Sequence, residues 1–198
     1  MRPPPRLLLI TALSANLAAT MRATLEHADA RVAVQLRDKA ASPRALAEGA
    51  RALLPLVRER GAALLINERI DVARAVDADG VHLPESGLSV QDARAVLEVD
   101  RLVGRSCHDS AGLETALEAG ASYATLSPVG VVPGKNPPLG IEGFVAPAAL
   151  PVLALGGLDA ADVPALLARG AHGIAVQRAV FAARDPGAAV AAMLDVLP

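Results

Sequence analysis

The stretch Leu65-Ile66-Asn67-Glu68-Arg69-Ile70-Asp71-Val72-Ala73, continued by Ala78-Asp79-Gly80-Val81-His82-Leu83, holds the pattern on which the fold turns. An aliphatic run breaks off at polar Asn67-Glu68-Arg69. A short mixed segment follows, and a second aliphatic run starts at Gly80 and stops before Pro84-Glu85-Ser86-Gly87. Strands buried on both faces read as continuous apolar runs rather than alternating ones, which is the habit of parallel sheets.

Working outward, the same unit recurs along the whole chain. The apolar runs are Leu7–Ala12, Val32–Leu36, Ala63–Ile66, Gly80–Leu83, Leu102–Gly104, Tyr123–Leu126, Val152–Leu155 and Gly173–Val176. Ser42-Pro43 opens a helix running to about Arg60, with Ser as cap and Pro in the first turn. Further helices are predicted over Ser89–Leu97, Asp109–Ala119, Asp159–Ala168 and Asp185–Leu197, the second closed by Gly120 and the third by Gly170. The segments after the first, third and sixth runs carry weaker helix signals, though each could hold a short helix. Strands alternating with helices imply right-handed parallel crossovers. Eight such units predict closure into a single (β/α)8 TIM barrel, one domain spanning residues 1–198. The rival is an open doubly wound sheet, which usually carries five or six strands. The 198 residues lie at the short end for a barrel, so its loops must be short. The longest, Ser127 to Gly140, is dense in Pro and Gly, and such a loop in a compact domain is usually functional.

Composition narrows the function classes. Hydrophobic residues make up 53%, with two Phe, one Tyr and no Trp, so the core must be aliphatic. Net charge is −2, without the basic excess of a nucleic-acid binder. Cys107 is the only cysteine, which excludes an intrachain disulfide and fits a reducing cytoplasm. The apolar run Leu7–Ile10 is too short for a secretory signal, and no window approaches the roughly 18 apolar residues of a membrane span. A soluble, cytoplasmic protein is expected.

In a barrel, chemistry sits where strands end and helices begin. Read at those junctions, Arg37, Lys39, Lys135 and Arg178 should project toward one mouth. Cations gathered there would repel one another unless an anion joined them, and Arg forks with Lys point charges suit phosphate or diphosphate. Gly156-Gly157 would let backbone N–H groups approach an oxyanion without Cβ interference. Asp38, Glu68 and Glu85 are the carboxylates near enough to hold a divalent ion together with substrate phosphates. Asp71 reads as a first-turn acid instead. His82 and His108 are acid–base candidates, His82 equally a packed strand residue, while Ser106 and Ser127 could donate hydroxyls to phosphate. Cys107 reads as a small buried apolar group rather than a nucleophile.

The ordered set Leu8-Leu9-Ile10-Thr11, Gln35-Leu36-Arg37-Asp38-Lys39, Asn67-Glu68-Arg69-Ile70-Asp71, Gly80-Val81-His82-Leu83, Gly104-Arg105-Ser106-Cys107-His108, Ala154-Leu155-Gly156-Gly157-Leu158 and Gly173-Ile174-Ala175-Val176 resembles the thiamine phosphate synthase superfamily, which includes the thiazole tautomerases. The resemblance implies coupling of hydroxymethylpyrimidine diphosphate to thiazole phosphate, with release of pyrophosphate and help from Mg²⁺. It matches Gln35, Arg37, Lys39, Asn67 and Lys135 to groups that hold the pyrimidine diphosphate, and Ser106 to a serine of that pocket. Gly156 and Gly157 match the thiazole-phosphate cradle, with Gln177 and Arg178 following strand 8. Lys135, Ser106 and His108 are the expected catalytic groups, and Glu68 and Glu85 the expected metal ligands. The implied partners are phosphorylated pyrimidine and thiazole molecules, with a homodimer as a candidate assembly and neither nucleic acid nor membrane.

Departures from the family pattern are concentrated at the same junctions. The metal-binding Asn-Asp pair is here Asn67-Glu68, and a second metal-binding aspartate aligns with Gly87. Two loop threonines align with Val132 and Gly134, and a serine after strand 8 with Arg178. The segment Leu83-Pro84-Glu85-Ser86-Gly87 is similar to the tautomerase branch, yet that branch's catalytic histidine aligns with Pro128, which cannot transfer protons. Two alternatives therefore stand beside the synthase: a tautomerase-like isomerase using His108, and a non-catalytic barrel that binds thiazole or thiamine phosphate.

Overall fold

In the computed structural model, which describes residues 2–198, eight parallel strands close on themselves in the order β1 to β8. They are β1 (Leu7–Thr11), β2 (Val32–Leu36), β3 (Ala63–Asn67), β4 (Gly80–Leu83), β5 (Leu102–Cys107), β6 (Tyr123–Leu126), β7 (Val152–Leu155) and β8 (Gly173–Val176). The barrel is sealed where Leu7, Leu8 and Leu9 of β1 pair with Ile174, Ala175 and Val176 of β8.

The outer helices are α1 (Leu17–Thr24), α2 (Pro43–Glu59), α3 (Ile70–Ala75), α4 (Val90–Val96), α5 (Ser110–Glu118), α6 (Val163–Ala168), α7 (Arg178–Phe181) and α8 (Pro186–Val196). Their starts follow from cap chemistry. Side-chain oxygens of Ser42, Ser89, Asp109 and Asp185 accept from the N–H groups of Ala45, Asp92, Gly112 and Ala188, satisfying donors that the first turn leaves orphaned. In α2, Leu46, Ala50, Leu53, Leu54 and Val57 recur at helical spacing and are buried against the sheet.

Two expectations need correction. No helix follows β6: residues 127–151 run as turns and bends, because Pro128, Pro133, Pro137 and Pro138 remove donors and Gly breaks the run. The chain instead places two helices, α7 and α8, after β8. Strand 5 also runs past Gly104 to Cys107, taking Arg105 and Ser106 into the ladder opposite Ala124 and Thr125.

Alternation along each strand sorts side chains into two shells. Leu7 and Leu9 face the helices, whereas Leu8, Ile10, Ala33, Ala63, Leu65, Leu102, Tyr123, Leu153 and Ala175 fill the barrel. Two residues further along the same faces, the interior becomes polar: Gln35 follows Ala33, Asn67 follows Leu65, Ser106 follows Gly104 and Thr125 follows Tyr123. Gly104 stands opposite Tyr123 in the register, and a Cβ there would collide with the phenol ring. The one tyrosine thus occupies space its neighbour vacates. Among the described residues, no helix is long and apolar enough to cross a membrane.

Candidate functional site

The polar half of the interior opens into a cavity of about 560 Å³ at the C-terminal ends of the strands. Its floor is built by strand residues and its rim by the loops that follow them. Gln35 and Asn67, on β2 and β3, meet through a 2.8 Å bond from Gln35 Nε2 to Asn67 Oδ1. The Oε1 of Gln35 is buried with no protein partner, an acceptor left for a ligand donor.

Below them, His82 is buried with both ring nitrogens engaged, Nδ1 2.9 Å from the Tyr123 hydroxyl and Nε2 2.9 Å from Ser106 Oγ. Burial, reinforced by the nearby Arg37 and Arg105 charges, holds the imidazole pKa down at about 3, so the ring is neutral. His82 is therefore a bonded floor residue rather than one that charges near neutrality. Burial also raises the Tyr123 phenol and pushes the Cys107 thiol up to about 11. That thiol is no nucleophile near neutral pH.

The rim is cationic. Arg37 after β2, Lys135 in the β6–β7 loop and Arg178 after β8 all line the cavity, with Gln177 and His108 beside them. No Asp or Glu is among the lining residues. Lys39 is exposed and lies outside the lining, so three of the four anticipated cations meet there.

Next to the loop that bears Lys135 lies the turn after β7. Gly156 and Gly157 have φ of 112° and 65°, a region that favours glycine. The turn serves packing. Val129 and Gly130 donate to the carbonyls of Leu155 and Gly156 at 2.9 and 2.7 Å, extending the β6–β7 ladder beyond its strands. A Cβ on Gly157 would come within 2.5 Å of the Val131 carbonyl oxygen.

The carboxylates do not join this group. Glu85 stands in a loop held by Arg105, whose guanidinium donates to the Glu85 and Leu88 carbonyls at 2.7 Å, and its carboxylate lies 2.7 Å from His108 Nδ1. Glu68 is exposed in a left-handed conformation with φ of 63°, its N–H bonded to the His82 carbonyl at 2.9 Å. Neither lines the cavity, and among the described residues no three His, Cys, Asp or Glu side chains gather to hold a metal ion. The donor set does not fit a metal site built by the protein itself.

Tyr123 was the residue that the strand pattern concealed, since it reads as one more apolar member of β6. The available signal was a lone phenol paired with a glycine in an otherwise aliphatic interior.

With this geometry in view, comparison with known proteins is direct. A family model described as thiamine monophosphate synthase matches residues 7–180. A thiamine-phosphate synthase of Salinispora arenicola is 40% identical over 186 residues, covering 90% of this chain and 89% of that protein. One from Azorhizobium caulinodans is 43% identical over 158 residues, covering 77% and 74%. Among solved structures, the thiamine phosphate pyrophosphorylase from Pyrococcus furiosus superposes with a TM-score of 0.83 at 29% identity, covering 98% of this chain and 96% of that one. A 3-hexulose-6-phosphate synthase, at 19% identity and a TM-score of 0.70, shares the fold alone. The chain belongs to the thiamine monophosphate synthase family.

Proposed function

We propose that the protein couples hydroxymethylpyrimidine diphosphate to thiazole phosphate and releases pyrophosphate. The observation that carries this reading is the cavity in which Arg37, Lys135 and Arg178 converge without a single lining carboxylate. In the reaction the C–O bond to the diphosphate breaks, the thiazole nitrogen bonds to the same carbon, and pyrophosphate leaves with the electron pair. Charge accumulates on the leaving oxygens, where preplaced cations act most strongly in the transition state. Arg37 and Lys135 are assigned to that diphosphate. Arg178 and the Gly156-Gly157 turn are assigned to the thiazole phosphate, with the turn's backbone N–H groups free of Cβ interference. The unpartnered Gln35 Oε1 is positioned to accept from a pyrimidine amino group.

Mg²⁺ dependence is general in the family. In this chain Glu68 and Glu85 stand outside the cavity lining, which leaves the charge of the leaving diphosphate to Arg37 and Lys135. A cytoplasmic location belongs to the same reading, supported by the buried free thiol of Cys107.

The test is turnover of the two phosphorylated substrates with Mg²⁺ supplied, read as thiamine phosphate formed. Product that depends on both substrates supports the reading. No product at high enzyme concentration removes it.

A further inference from the structure

At the floor of the cavity, Tyr123, His82 and Ser106 form one hydrogen-bonded chain. It has the outline of a nucleophilic serine with its histidine base, where a third group on the far ring nitrogen sets the tautomer. The polarity here is opposite. In the nucleophilic arrangement the third group is a carboxylate, an acceptor that keeps a hydrogen on Nδ1 and leaves Nε2 free to take the serine proton. The third group in this barrel is a phenol.

Tyr123 is fully buried in the apolar interior cluster that includes Leu8, Leu102 and Leu153. Its hydroxyl finds no partner but His82 among the described residues. If His82 Nδ1 carried the hydrogen, the Tyr123 O–H would be a buried donor with no acceptor, which costs its full desolvation penalty. The O–H therefore donates to Nδ1. A neutral imidazole has one donor and one acceptor, so Nε2 carries the hydrogen and donates to Ser106 Oγ. The Ser106 hydroxyl has no other partner among the described residues, and the Thr125 hydroxyl opposite it in the register makes no bond to it.

We propose that Tyr123 and His82 are positioning residues that lock Ser106 as a hydrogen-bond donor, its oxygen engaged by Nε2–H and its own hydrogen turned into the cavity toward an oxygen of the bound anion. Ser106 is by the same geometry not a nucleophile, because His82 Nε2 already holds a proton and cannot accept another from it. The identity of the anion rests on the proposed function; the tautomer does not.

The experiment is ¹⁵N NMR of histidine-labelled intact protein without ligand near neutral pH, followed by kinetics of variants. The expected spectrum shows His82 protonated at Nε2 and bare at Nδ1. Tyr123→Phe is expected to release that tautomer into a mixture and to lower kcat by about tenfold to a hundredfold, the range for one hydrogen bond to a charged group. Ser106→Ala is expected to lose a similar amount, and the double variant no more than either alone. Should Tyr123→Phe fail to fold, position 82 decides. His82→Gln, with an amide N–H to offer Ser106, should retain turnover that His82→Glu, which can only accept when ionised, loses. A wild-type His82 protonated at Nδ1, additive losses in the double variant, or labelling of Ser106 by a fluorophosphonate would overturn the proposal. Absent turnover in the wild type would count against the synthase reading instead, with the spectrum still deciding the tautomer.

Discussion

The two ends of the barrel place their cations in different company. At the N-terminal end, Arg58 and Arg101 both reach Asp77, Arg2 reaches Asp79, and Arg6 donates to the His172 carbonyl. Every one of these charges is answered by the protein. At the C-terminal end, Arg37, Lys135 and Arg178 have no such partner among the described residues and share one cavity. Arg22, Arg51 and Arg74 are also unpaired, but they stand exposed on α1, α2 and α3 and share no site. An unanswered charge is thus common, and unanswered charges facing one another are the informative case. The lower end uses its cations to close the fold; at the upper end Arg105 does the same for one loop, while Arg37, Lys135 and Arg178 stand together on the cavity.

The largest expected difference between the ends appears in acid. His82, under the mouth, is neutral when folded with a pKa of about 3, against 6.5 for the ordinary group. A depressed folded pKa means stability that is complete above pH 6.5 and lost as pH falls toward 3, because only the unfolded chain then binds the proton. The loss should approach about 5 kcal/mol at pH 3. Urea titrations at stepped pH read it, and His82→Gln should flatten that slope. An equally steep slope in the variant would assign the acid sensitivity to the carboxylates of the lower end, among which Asp77 is held below the usual range by Arg101 and Arg58.

Next in size is the charge test at the mouth. Lys135→Ala should reduce kcat by about 100- to 1000-fold, the cost of removing one transition-state donor, while leaving the melting temperature almost unchanged. Parallel activity and thermal melts would expose the reverse pattern, and with it a structural lysine. Gly157→Ala comes third: a side chain at φ 65° and 2.5 Å from the Val131 oxygen should cost about 1–3 kcal/mol and raise KM through the displaced loop. Arg58→Ala is the smallest. Its pair with Asp77 is exposed, so denaturant midpoints should move by about 0–1 kcal/mol and kcat/KM should stay as it was. A large kinetic effect there would erase the distinction between the ends.

How far the sequence could be read depended on which side of a strand carried the signal. The barrel was legible because doubly buried strands leave unbroken apolar runs, and the eight runs all became strands. The sixth helix was not, since one irregular loop and one missing helix leave the alternation otherwise intact. Strand 5 was cut short because Arg105 and Ser106 look like the end of a run. Arg105 is accommodated by bonding to the carbonyls of the preceding loop. At the site, junction logic brought Gln35, Arg37, Asn67, Ser106, Lys135, Gly156, Gly157 and Arg178 to one cavity. It could not separate Lys39 from Lys135, because position at a junction does not fix which way a loop side chain leans. Nor could it place Glu68 and Glu85, whose positions depend on a left-handed backbone and on a neighbouring histidine. The Tyr123 contact spans two strands, which no local pattern reports.

The loop that bears Lys135 is tied down at both feet. Val129 and Gly130 are bonded to Leu155 and Gly156, while Leu139 and Gly140 donate to Pro128 and Val129 at 2.9 Å. The intervening residues form a tether rather than a free arm. Five residues of extended chain reach at most about 17 Å, so the ammonium can never retreat further than that from Gly130 plus its own side-chain length. Bonds to the ladder on both sides of the loop thus keep the lysine near the cavity that it lines.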